Sequence, residues 1–190
     1  MLPIVMGVIV AFLPPNQAVL GASRTELASR SFSLENRYDN KFVNDVFKYN
    51  ILLTVKYMGD SFTLQPGETF AFHDQVLSEY KEKVVKTTNA HFNYQDGFKS
   101  DGLLYGDGVC HLASLLYWAA KDAGLTTFYF ANHNFAKIND VPREYGVSIK
   151  FMPGDPSGSA RQNLYITNDF DVPVTFTFIY DGVNLTIKIY

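Results

Sequence analysis

The period of the hydrophobic positions changes along this chain, and the changes divide it. Met1 to Leu13 (MLPIVMGVIVAFL) is uncharged throughout, and Pro14-Pro15 closes the run. It lacks helical periodicity and is shorter than the roughly 20 residues of a membrane-spanning helix. It fits the apolar region of a signal peptide, with small residues for cleavage in Ala18–Ala22. No Lys or Arg precedes it. Residues 1–22 therefore read as a signal peptide or a signal anchor, and the chain is expected to be exported. Residues 23–39 are polar and read as a linker.

From Asn40 the pattern becomes helical. Phe42, Val43, Val46, Phe47, Ile51, Leu52, Val55 and Met58 recur mostly three or four apart. That spacing predicts an amphipathic helix of about five turns with Asp39 or Asn40 as its N-cap. Phe62–Leu64 and Thr69–Phe72 read as strands around a Pro66-Gly67 turn. Val76–Val85 reads as helix or strand, and Tyr94–Gly102 as an exposed loop. A second helix is predicted over Cys110–Ala123, with Gly124 ending it. Apolar residues surround most of this helix, so it should be buried on nearly all sides. Thr126–Ala131, Val147–Phe151 and Leu164–Thr167 read as strands, and Gly154–Ser159 as a surface loop. Val174–Tyr180 and Val183–Tyr190 flank Asp181-Gly182, a hairpin signal. The expected fold class is α+β. A buried central helix carrying Cys110 packs on a mainly antiparallel sheet that ends in a β-hairpin.

Composition narrows the function classes. With 190 residues, 47% of them apolar, the chain is long enough for one domain with a real core. Charged residues are 18% and the net charge is −3, which excludes the basic footprint of a nucleic-acid binder. Contact with a membrane is expected only through the N-terminal segment. One cysteine allows no internal disulfide. A single thiol in an oxidising compartment is reactive, paired between molecules, or buried.

Cys110 carries the candidate chemistry. It sits at the start of the second helix, after the glycine turn Gly106-Asp107-Gly108. Backbone N–H groups and the helix dipole at such an end favour a thiolate. The same N–H groups suit a developing oxyanion. His133 follows the strand that returns from that helix, so it is placed to act as general base; His111 ranks below it, because adjacent helical residues point about 100° apart. The competing reading makes Cys110 a small core residue. Cys110 with His91, His111 and His133 fits no standard zinc spacing, so no metal or cofactor is assigned.

Gly106-Asp107-Gly108-Val109-Cys110-His111-Leu112-Ala113-Ser114-Leu115-Leu116-Tyr117, with Ala123-Gly124-Leu125 downstream, resembles the signature of the VanW-like family. So do Pro66-Gly67-Glu68-Thr69-Phe70-Ala71-Phe72, His133-Asn134 and Asn163–Asn168. The resemblance covers about residues 36–190 and implies a VanW-like domain over 40–190. That family is named from vancomycin-resistance clusters and is associated with the bacterial cell envelope. Two positions depart from its pattern: His111 replaces a Gln, and Gly146 stands where the family has an Asp. The resemblance implies an envelope protein and assigns it no biochemical role; the residues themselves offer two. One is a Cys110/His133 thiol hydrolase or acyl transferase acting on peptidoglycan peptides. The other is a non-catalytic module in which Gly106, Asp107, Gly108 and His111 help to bind a cell-wall peptide or glycan.

Overall fold

A computed structural model describes residues 25–190. The leader expected over residues 1–22 lies outside the described residues. Two four-stranded sheets enclose a central helix, and the fold is α+β. The first sheet has the order β1 (Ala28–Ser33), β8 (Asn184–Ile189), β7 (Val174–Tyr180), β2 (Ser61–Leu64), antiparallel throughout. The second has the order β4 (Val84–Lys86), β3 (Thr69–Ala71), β6 (Leu164–Thr167), β5 (Thr126–Tyr129). Only the β3–β4 pair in it is parallel.

Strand alternation explains the first sheet. Val174, Phe176 and Phe178 of β7 and Leu185, Ile187 and Ile189 of β8 all point inward and are buried, while their neighbours face out. The hairpin turn lies one residue later than the Asp181-Gly182 signal implies. The Asp181 N–H donates to the Asn184 carbonyl, which puts Gly182 and Val183 at the tip, with Gly182 at φ +103°. Ala28–Ser33, expected within a linker, pairs along its whole length with β8. Its polar composition hid a strand in which only Ala28 and Phe32 face the core. The Pro66-Gly67 turn joins strands as expected, but β2 and β3 belong to different sheets. Phe62 of β2 bridges them, with ring centroids 4.7 Å from Phe176 and 5.0 Å from Phe70.

The first helix, α1 (Lys41–Met58), is capped by Asn40, whose side chain accepts from the Val43 N–H at 3.2 Å. The second, α2 (Val109–Asp122), packs on α1, β1, β8, β5 and β6 and so touches both sheets. Leu112, Leu115 and Leu116 are fully buried in it. Each such side chain contributes about 1.5–3 kcal/mol of transfer free energy. Two expectations change here. Val147–Phe151 is an extended segment with only an isolated bridge, Asn132 to Val147, because its partner strand β5 stops at Tyr129. Pro156–Arg161 is a short helix, α3, rather than a loop: the Asp155 side chain accepts from the Gly158 N–H at 2.8 Å, and Pro156 opens the first turn.

Candidate functional site

The first turn of α2 presents two faces with different chemistry. Gly108 is its N-cap at φ +96°, with no side-chain cap. A Cβ there would meet the Phe47 carbonyl oxygen at 2.8 Å and its Cα at 3.0 Å. Gly106, at φ +81°, is as tight against Phe92, at 2.9 Å from its Cβ. Both glycines are thus spent on close packing of the loop against α1 and Phe92. Asn50 of α1 fastens that loop: its amide donates to the Lys99 and Asp107 carbonyls at 3.0 Å each, and its oxygen accepts from the Lys99 N–H. Within the turn, the Val109 N–H donates to Gly106 O and the His111 N–H to Gly108 O. Two donors that an open helix end would offer are therefore occupied.

On one face, the Cys110 sulfur lies on the backbone of Ile149. It accepts from the Ile149 N–H at 3.3 Å and its S–H donates to the Ile149 carbonyl at 3.5 Å. One turn on, the Ser114 hydroxyl accepts from the Val147 N–H at 2.9 Å and donates to the Cys110 carbonyl at 2.7 Å. These two side chains hold one side of the 147–149 segment, while on the other the Ser148 N–H donates to the Ala131 carbonyl at 2.9 Å. Burial pushes the Cys110 thiol up from its ordinary value, and the Asp107 charge adds to that. Asp107 is itself raised to about 6, by burial and then by Asp101, and its Oδ2 is buried without a partner.

On the other face, His111 is buried between Phe47, at 5.1 Å between centroids, and His133, at 5.9 Å edge to face. Its Nδ1 is buried with no hydrogen-bond partner. Burial, then the nearby Arg37 charge and His133, pull His111 down to about 3, so it is neutral at physiological pH. Arg37 is also buried. It pairs with Asp140 at 2.8 Å and lies over the Phe32 ring, while its Nε and Nη1 have no partner.

The structure thus brings His111 and His133 together, and it engages Cys110 with Ile149 rather than with either imidazole. The His133 Nδ1 donates to the Ala136 carbonyl at 3.2 Å, which fixes the neutral tautomer and leaves Nε2 as an acceptor. Burial lowers its pKa. The His133 N–H donates to Gly146 O, and a Cβ on Gly146 would lie 3.3 Å from the His133 Cβ. The position where the family pattern has an Asp is therefore directly beside His133. A cavity of about 370 Å³ opens here, lined by His133, Ala136, Lys137, Ile138, Val141, Pro142, Arg143 and Gly146.

The other two histidines are held within the fold. His91 lies against Asp74 and Asp96 at 3.4 and 3.6 Å. His73 is fully buried, donates to Gln162 O at 3.1 Å, and is lowered to about 4 chiefly by burial. Among the described residues no three His, Cys, Asp or Glu side chains gather as a metal site. Asn50, Arg37 and Ser114 escaped the sequence reading. The first and last stand inside helical stretches read for their apolar period, and Arg37 stood in the expected linker; none carries a local signal.

Comparison with curated proteins and with solved structures returns no significant match. The model of the family described as VanW like protein matches residues 47–190, a span that holds α2 with its glycine turn, His133, Gly146 and both sheets except β1; the chain is a member of that family.

Proposed function

We propose that this chain is a bacterial cell-envelope protein whose domain binds the cell wall without catalysing a reaction on it. The observation that carries the reading is the setting of Cys110. Its S–H and one of its two lone pairs are used by the Ile149 backbone, and although the residue as a whole is half-buried, desolvation of the sulfur moves its pKa away from thiolate formation. A nucleophile needs the opposite, a lowered pKa or an adjacent base. Gly146 beside His133 supports the same reading, since no carboxylate is present there to orient the imidazole. No helix among the described residues is long and apolar enough to cross a membrane.

One observation favours the thiol hydrolase or acyl transferase instead: the Ile149 N–H donates to the sulfur, a contact that stabilises a thiolate. Incubating purified peptidoglycan sacculi with the protein and with Cys110→Ala separates the two. Co-sedimentation of both forms, with no release of soluble peptides or new amino groups, is the expected result. Release that disappears in Cys110→Ala would replace the binding module with the enzyme.

A further inference from the structure

The cavity beside His133 combines three features that select a ligand class. Its volume, about 370 Å³, lies at the small end of ligand sites, which run from roughly 300 to 1,000 Å³. Ala136, Ile138, Val141 and Pro142 give it an apolar wall suited to a small aliphatic side chain. Lys137 and Arg143 put cationic groups on the same wall. Arg143 spends one amino group on Asn134 O, at 2.7 Å, and keeps its remaining N–H groups for a planar anion.

His133 narrows the class further. With Nδ1–H committed to Ala136 O, its free nitrogen accepts a hydrogen bond and does not donate one. A ligand matched to this lining needs an N–H donor, an anionic oxygen group and a small apolar body together. Inorganic phosphate has the charge and lacks the other two. A neutral sugar has donors and lacks the charge. The C-terminal residue of a short peptide has all three, with the amide N–H and the carboxylate separated by one carbon. Resting on the binding-module reading, we propose that this cavity captures the free C-terminal carboxylate of a short peptide ending in a small aliphatic residue. Lys137 and Arg143 take the carboxylate, and His133 Nε2 takes the terminal amide N–H.

The test is an NMR titration of the ¹⁵N-labelled protein at pH 7 with acetyl-Ala-Ala in L and D forms, with the corresponding C-terminal amides, and with inorganic phosphate. The expected result is that at least one free-acid peptide shifts the signals of residues 133–146. The amide and phosphate should bind at least tenfold more weakly. Lys137→Gln and Arg143→Gln should each weaken the free acid about tenfold, the usual size of a lost charge-assisted hydrogen bond. Unchanged thermal unfolding of both variants excludes misfolding as the cause, since both side chains are exposed. Equal binding of acid and amide, phosphate binding as tight as the peptide, or no response in this segment would each overturn the proposal. Sacculus co-sedimentation of the same two variants separates this inference from the reading beneath it. Retained sedimentation together with a failed titration removes the cavity assignment alone. Absence of sedimentation in the wild type removes the binding-module reading itself.

Discussion

The two faces of the first turn of α2 differ in how completely their polar atoms are used. On the Cys110–Ser114 face, the sulfur and the hydroxyl are each bound to the 147–149 backbone, and the unpartnered Asp107 Oδ2 lies in the turn before them. On the His111 face, a buried imidazole nitrogen and two buried guanidinium N–H positions of Arg37 have no partner. Beside them a cavity opens at His133. The cost of an unmet buried polar group, about 1–3 kcal/mol, is tolerated where something else benefits. The satisfied face is where a structural cysteine belongs, and the unsatisfied face is where a ligand is to be sought.

Acid should separate the faces most. His111 and His73 fall from 6.5 to about 3 and about 4 in the fold. The unfolded chain therefore binds more protons below pH 6.5, and stability is lost as pH falls from 6.5 towards 3. Asp107, raised from 3.8 to about 6, acts in the opposite direction between those values, but it is one group against three, since burial lowers His133 as well. The net loss by pH 4 should be on the order of 3 kcal/mol in the unfolding free energy measured by urea titration. His111→Gln should remove much of that slope and leave the part due to His73 and His133. A slope unchanged in His111→Gln would mean that the imidazole face is not the acid-sensitive one.

Gly108→Ala strikes the joint that both faces share. The added Cβ meets the Phe47 backbone under 3.0 Å at a positive φ, so about 3 kcal/mol should be lost. Ser114→Ala touches only the satisfied face. It strands the Val147 N–H and should cost about 1–3 kcal/mol while sacculus binding is unchanged. Binding that falls with stability in Ser114→Ala would show that the two faces are coupled.

Gly146→Asp should have the smallest effect on stability, about 1 kcal/mol. The Gly146 backbone, at φ −68°, accepts any residue, and the new Cβ, 3.1 Å from the His133 carbonyl oxygen and 3.3 Å from that of Arg143, needs the backbone to give by a few tenths of an ångström. Its carboxylate should raise the His133 pKa, read by imidazole NMR titration, because a nearby negative charge favours the imidazolium. An unmoved His133 would mean that residue 146 cannot orient that ring.

How much of this was legible beforehand varies by element. The periods of α1, α2 and the β7–β8 hairpin were visible, because each buries one regular face or is apolar all round. β1 was not visible, since SRSFS keeps only one large apolar residue on its inner face and depends on β8 for its pairing. At the site, Cys110, His111 and His133 stood out as rare residue types at element ends. Arg37 did not, because its burial against Phe32 and Asp140 spans more than 100 residues of chain.

The sequence by itself determined the two long helices, the inward faces of the long strands, the positive-φ glycines around α2 and membership of the family. Those depend on local backbone preference and on side-chain period, which neighbours along the chain specify. Tertiary structure alone decided which partner each rare residue received. Cys110 received the Ile149 backbone, His111 received Phe47 and His133, and His133 received a cavity edged by Lys137 and Arg143. Such pairings depend on how helix and sheets dock, and on the dryness of each face once docked, and no local pattern encodes either.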